Sequence, residues 1–176
     1  FNNAVNSWMK NIRSVRAIQK HVKVAWTHNV TIRDSYFFSN QDHDDPNGPQ
    51  HDSYGVNCYQ CSDILVENNI FQWVIGPIVN EIGTGNVFGY NYSINDQFGP
   101  GTWMQGSAYN HNGGSSYFLW EGNDGAGLML DNYFGQAHFV TRSTRNVIFF
   151  DAALDIITIC DILIIKGKGG DIRLRY

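Results

Sequence analysis

The most chemically loaded stretch of the chain is Asn40-Gln41-Asp42-His43-Asp44-Asp45-Pro46-Asn47-Gly48-Pro49-Gln50-His51-Asp52. Four carboxylates and two imidazoles fall within eleven positions of it, which offers oxygen donors for a metal ion or an acid and base pair for proton transfer. Asp42, Asp44 and Asp45 are the candidate metal ligands, and Asp44, Asp45, His51 and Asp52 the candidate catalytic groups. Pro46, Gly48 and Pro49 make the stretch a loop. The same composition also describes a solvated surface loop, so any chemistry depends on what lies beside it. A second stretch, within Ile94 to His111, carries Asp96, Trp103, Tyr109 and His111. Trp103 and Tyr109 offer aromatic faces on which a sugar ring can stack, although Trp103 can equally pack its own loop onto the protein.

These two stretches interrupt a repeat. Asn29-Val30-Thr31-Ile32-Arg33-Asp34, Ser62-Asp63-Ile64-Leu65-Val66-Glu67-Asn68-Asn69, Asn86-Val87-Phe88-Gly89-Tyr90-Asn91 and Phe118-Leu119-Trp120-Glu121-Gly122 share one pattern. Aligning the polar position that ends each copy gives Asn11, Asp34, Asn68, Asn91, Gly122 and Asn146, with successive steps of 23, 34, 23, 31 and 24 in sequence number. The basic step is 23, and the surplus in the two longer steps, 34 and 31, falls on the two loaded stretches. Both inserts then leave after the turn and before the next strand, from one corner of the stack, roughly 10 Å apart.

The columns identify the repeating unit. Met9, Ile32, Val66, Gly89, Trp120 and Thr144 share one column, and Lys10, Arg33, Glu67, Tyr90, Glu121 and Arg145 the next. This mostly apolar and polar alternation has the period of two that a strand requires. The Asn or Asp that follows tolerates left-handed backbone and makes a turn. Phe37, Phe71 and Phe149 align three residues later, and a second strand column joins Val22, Val56 and Ile78. Short strands in units of this length, stacked with no helical pattern between them, predict an all-β parallel β-helix, a solenoid of about six coils of about 23 residues. Glu67 and Tyr90 then point outward as candidate substrate-binding residues with Arg33 beneath them, and Arg33 beside Glu67 also reads as a cross-strand ion pair.

The runs Val66-Glu67-Asn68-Asn69-Ile70-Phe71 and Leu119-Trp120-Glu121-Gly122-Asn123 resemble those of bacterial right-handed parallel β-helix proteins of the pectate-lyase-like superfamily, over roughly residues 1–149. The resemblance implies a right-handed coil and a secreted, periplasmic or cell-surface protein, a lyase or hydrolase acting on an acidic polysaccharide. It implies either Ca²⁺ held by aspartates, here Asp42, Asp44 and Asp45, with a cationic base for which Arg33 or Lys23 is the nearby choice, or paired acids that hydrolyse the glycosidic bond. A cation there would stabilise charge developing in the transition state. Of the Asn-Thr-Asp, Asp-Asp, Gly-His-Gly and Arg-Ile-Lys motifs expected on successive coils of polygalacturonase-like relatives, only Asp44-Asp45 is present, in a loop. The departure points to the alternative, a non-catalytic surface β-helix that binds glycans or serves as a stalk, because a scaffold does not specify an activity.

Composition bounds the rest. In 176 residues, 43% hydrophobic and 16% charged, the chain has the balance of a folded domain. A net charge of −4 with no run of Lys or Arg argues against nucleic acid or an acidic membrane surface as partner. Cys58-Tyr59-Gln60-Cys61 has CxxC spacing without a second pair to complete a zinc site, so these cysteines and Cys160 read as buried structural residues. Residues 1–150 form the expected β-helix domain, which reads as a piece of a longer solenoid since it opens on Phe1 with no end cap. Residues 151–176, rich in isoleucine and lacking the Asn turns, form an off-pattern segment that fits a cap.

Overall fold

The computed structural model describes residues 1–40, 53–98, 103–104, 107–111, 115, 117–125, 128–130, 156–159, 162–165 and 172–173. Among them every regular element is a strand, and no helix is long and apolar enough to cross a membrane. The strands fall into successive layers. The first holds β1 (Val5–Lys10) and β2 (Arg13–Ala17), and the second β3 (Val22–Ala25), β4 (His28–Arg33) and β5 (Tyr36–Asn40). The third holds β6 (Val56–Glu67) and β7 (Ile70–Gln72), and the fourth β8 (Ile78–Thr84), β9 (Val87–Gly89) and β10 (Tyr92–Ile94). A hairpin of β11 (Gln97–Phe98) and β12 (Trp103–Met104) precedes β13 (Ala108–His111), β14 (Leu119–Glu121) and β15 (Leu128–Leu130). β16 (Ile156–Ile159) pairs antiparallel with β17 (Ile162–Ile165), and β18 (Ile172–Arg173) runs antiparallel to β15.

Each strand of one layer pairs in parallel with its counterpart in the next. β1, β4, β6, β8, β13 and β15 follow one another in a ten-stranded sheet that ends on β18, and β2, β5, β7 and β10 form a four-stranded sheet. The second strand column has the register read from sequence, with Val22 opposite Val56, Val56 opposite Ile78 and Ile78 opposite Ala108. Parallel pairing of short segments works here because left-handed residues recur in the same columns and bend every layer alike. One column is Asn6, Asn29, Asp63, Gly85 and Tyr117, with φ from 50° to 70°. Another is Asn11, Asp34, Asn68, Tyr90 and Gly122, and a third is Asn3, Trp26, Gln60 and Ile82. A non-glycine residue in this conformation costs about 1–2 kcal/mol, so Trp26, Ile82 and Tyr90 are held there by the pairing around them.

The interior is built from the inward columns. Met9, Ile32, Val66, Phe88 and Trp120 are aligned by pairing, with Ile32, Val66 and Phe88 fully buried. Phe37 stacks on Phe71 with centroids 5.0 Å apart and Phe88 on Trp120 at 4.1 Å. Each fully buried aromatic contributes about 2–3 kcal/mol of hydrophobic stabilisation. Phe149, the third member expected in the Phe37 column, lies outside the described residues.

The expected register is corrected at the fourth layer by one residue. Phe88, not Gly89, sits opposite Val66, and Tyr90, not Asn91, occupies the turn at φ 55°. The left-handed column therefore runs Asn11, Asp34, Asn68, Tyr90 and Gly122, with the third step one shorter and the fourth one longer than the sequence alignment gave. The cause is a buried amide ladder one position after the turn. Asn91 Oδ1 accepts the backbone N–H of Asn69 and the Asn69 amide, both at 3.0 Å, while Asn123 Oδ1 accepts the same two groups of Asn91 at 3.0 Å. The spare amide hydrogens go to the carbonyls of Ile32, Val66 and Phe88. A buried asparagine satisfied on all sides outweighs the propensity of asparagine for the exposed turn.

Candidate functional site

The described residues that bracket the two inserts lie at corresponding places in their layers, each just before a strand of the ten-stranded sheet. Asn40 and Ser53 bracket the first, which leads into β6, and Asp96 and Ser107 bracket the second, which leads into β13. Their bases are fixed by buried polar groups. Asn40 donates to the Gln19 carbonyl at 3.1 Å and accepts the Ile75 N–H at 3.1 Å, so it ties three layers together where the first insert departs. Asp96 is 1% exposed, and its Oδ2 accepts the hydroxyls of Ser93 at 2.7 Å and Ser107 at 2.6 Å. Burial pushes the Asp96 carboxyl up to about 6, against the two serines that pull it down.

Between these bases run β3, β6, β8 and β13. With Val24, Cys58, Asn80 and Asn110 facing the interior, the neighbouring rows Lys23, Asn57, Val79, Tyr109 and Ala25, Tyr59, Glu81, His111 face outward. Val79 and Tyr109 are nearly covered and pack with Tyr54 in a small apolar cluster separate from the main core. Beside it lies a polar row. The Asn57 amide donates to Glu81 Oε1 at 2.6 Å, and Glu81 has Tyr59 as register partner on one side and His111 on the other. Parallel neighbours lie about 4.8 Å apart, so carboxylate, phenol and imidazole form a contiguous row. Trp26 stands at the edge of this row, 53% exposed, its ring edge-on to Tyr59 at 6.0 Å and its indole N–H donated to the Gln60 side chain.

The chemistry available is proton transfer between Glu81 and His111 and ring stacking on Trp26 and Tyr59, with Asn57 fixing the carboxylate. His21, at the base of the same corner, is a different case. Its Nδ1 lies 2.8 Å from the Ser14 hydroxyl and its Nε2 3.1 Å from the Ser39 carbonyl, and burial lowers its pKa to about 4. It is a neutral structural ring. Among the described residues no group of three or more His, Cys, Asp or Glu side chains is placed to hold a metal.

The residues singled out from sequence are distributed otherwise. Asp42, Asp44, Asp45, His51 and Asp52 lie outside the described residues. Arg33 and Glu67 sit side by side on β4 and β6, and their engagement is mutual: the guanidinium is 2.9 Å from Asp34 Oδ2 and 3.6 Å from Glu67 Oε2. Lys10 approaches Asp34 from the first layer at 3.6 Å. The hydrogen bond from Asn68, with Arg33 and Lys10, holds the Asp34 carboxyl below the usual carboxylate range. This network belongs to a strand column separate from Glu81. Tyr90 is exposed at the turn, Tyr109 is 8% exposed against Val79 and Tyr54, and Trp103 lies on β12 opposite Phe98. The second insert thus ends at Ser107, and Tyr109 to His111 belong to a layer strand. That assignment hid the site: reading His111 as loop breaks the Tyr59, Glu81, His111 column, which the correct register of Val22, Val56 and Ile78 would otherwise have extended to it.

A small recess on the inner side of the layers, lined by Phe71, Ile78, Ala108 and Trp120, is distinct from the outward row. Comparison of the chain with protein-family models, with curated proteins and with solved structures found no match.

Proposed function

We propose that the layers form a right-handed parallel β-helix of the pectate-lyase-like kind, and that its outward face between the two inserts binds and cleaves an acidic polysaccharide as a lyase or hydrolase. The observation that carries this reading is the row Tyr59, Glu81 and His111 on adjacent layers, with Asn57 on the carboxylate and Trp26 at its edge. An extended polymer lying across such a row meets a stacking surface, an acid and a base in sequence. In this reading the first insert supplies Asp42, Asp44 and Asp45, alone or around Ca²⁺, and Asp52 with His51, to the same face. The protein then works outside the cell or at its surface. A non-catalytic glycan-binding rod is favoured by one observation, the commitment of Arg33 to Asp34 and Glu67, which removes one of the two expected bases.

The test is turnover of polygalacturonate and of neutral glucans, read as new reducing ends and as the ultraviolet absorbance of an unsaturated product, with and without Ca²⁺. Glu81→Gln and the Asp44→Ala/Asp45→Ala pair should each abolish turnover while leaving binding measurable. Activity that survives Glu81→Gln removes the row from the chemistry. Binding without turnover in the parent protein assigns the chain to the non-catalytic reading.

A further inference from the structure

The sheet of β2, β5, β7 and β10 turns one row of side chains inward and two rows outward. Ser14, Phe37, Phe71 and Ser93 are register partners, with Phe37 and Phe71 fully buried. Alternation puts the residues on either side of them on the outer face. One outer row is Tyr36, Ile70 and Tyr92, and the other is Phe38, Gln72 and Ile94. Ile70 is 47% exposed, and Tyr92 and Ile94 are each 41% exposed. Tyr36 and Phe38 stack with centroids 6.2 Å apart, and the Tyr36 hydroxyl donates to Gln72 Oε1 at 2.8 Å. The Gln72 N–H groups meet no acceptor among the described residues. The rows extend onto β2 with Arg13 and Val15, and of all these residues Arg13 alone is charged. Single apolar residues on a surface need no explanation, but a contiguous patch of this kind marks a contact site.

The shape and charge of this strip select its occupant. Its four strands by two residues span roughly 14 Å by 7 Å between residue centres. That is far smaller than the about 800 Å² each side of a stable protein pair buries, which disfavours a second copy. An acidic polymer would find one cation, Arg13, at the end of the strip. An extended peptide gains no main-chain pairing, because β5 and β7 have neighbours on both sides. Its own N–H and C=O groups would face apolar side chains. A sugar ring differs: its flat C–H face packs on aromatic and aliphatic side chains, while hydroxyls at its rim reach the Gln72 amide or the Tyr36 hydroxyl. We propose that this strip binds a neutral, extended polysaccharide of the β-linked glucan class, one chain lying across the layers over Tyr36, Ile70 and Tyr92. The strip belongs to a different sheet from Tyr59, Glu81 and His111. Its ligand is neutral where theirs is acidic, and the inference stands whether or not that row is catalytic.

The experiment uses the full chain with microcrystalline cellulose and a soluble mixed-linkage β-glucan as probes. Depletion from cellulose suspensions and calorimetry with the soluble glucan read binding, and thermal melting checks that each variant is folded. The parent protein should bind both glucans, with an affinity that salt leaves unchanged. Tyr92→Ala removes one ring and should weaken binding by about tenfold. Ile70→Glu puts a carboxylate at an exposed position in the middle of the strip and should abolish binding, whereas Glu81→Gln should leave it unchanged. Either substitution in the strip decides alone should the other fail to fold. No binding of either glucan by the parent, binding that survives both substitutions, or binding lost in Glu81→Gln would overturn the inference. So would a concentration-dependent dimer in sedimentation that Ile70→Glu dissolves, since the strip would then belong to a second copy.

Discussion

Replacing Asn91 by alanine tests the register at its most sensitive point. Its side chain makes four hydrogen bonds, two accepted from Asn69 and two donated to Val66 O and Asn123 Oδ1, all in a site 4% exposed. Truncation strands the backbone N–H of Asn69 and the carbonyl of Val66, and each unsatisfied buried group costs about 1–3 kcal/mol. The expected loss is about 4 kcal/mol, a large part of the stability of a domain. Asn68→Ala is the control: Asn68 is exposed and donates one bond, to Asp34 at 2.7 Å, so its loss should stay at about 1 kcal/mol or below. Urea denaturation gives the two values, and hydrogen exchange at the Asn69 amide shows whether protection collapses locally, which matters because stacked repeats need not unfold in one step. Tyr90→Gly should be neutral or stabilising, since the left-handed position favours glycine. Equal losses for Asn91→Ala and Asn68→Ala, or a Tyr90→Gly penalty of a few kcal/mol, would refute the ladder and restore Asn91 to the turn.

Three further outcomes can be checked, the first two drawn from the same geometry and the third from the proposed calcium reading. Val66→Asp should cost more than about 4 kcal/mol in urea, because it puts an unpaired carboxylate at a fully buried position; a variant as stable as the parent would overturn the assignment of that column to the interior. His21 has a folded pKa near 4, below its ordinary 6.5, so the unfolded chain binds the extra proton first and stability is lost as pH falls from about 6.5 towards 4. Asp96 has a folded pKa near 6, above its ordinary 3.8, so its contribution is present in acid and is lost as pH rises from about 4 through 6. The two slopes oppose each other in one window: Asp96→Asn should uncover stability that climbs with pH there, and His21→Gln stability that falls, both read from pH-dependent denaturation. A calcium titration by thermal melting, compared with the Asp44→Ala/Asp45→Ala protein, should show a metal-dependent rise that the double substitution removes; an equal rise in both would take the metal away from that pair.

The repeat was legible because its signal is local. Period-two alternation in Val30 to Arg33 and Ile64 to Glu67 states strand and facing, and the recurrence of the pattern at a nearly constant interval states parallel stacking. The pairing of Val22, Val56, Ile78 and the stacking of Phe37 on Phe71 follow from aligned columns alone. The turn and the ladder did not separate in this way. Asn68-Asn69 places the same residue type at both positions, so Tyr90-Asn91 aligns equally well one residue out, and only the hydrogen bonds of a buried amide choose between them.

The sequence by itself thus determined the all-β class, the repeat length and the corners from which the inserts depart, since each depends on residues close in the chain. The tertiary structure decided which polar groups share a surface. Arg33 and Glu67, on different layers, meet as an ion pair, while Glu81 gains His111 from a segment that composition had assigned to a loop. Stacking converts a separation of one layer into a contact of about 4.8 Å, and a shift of one residue turns a side chain from one face to the other. Layer pairing, more than residue type, therefore selects the candidate site.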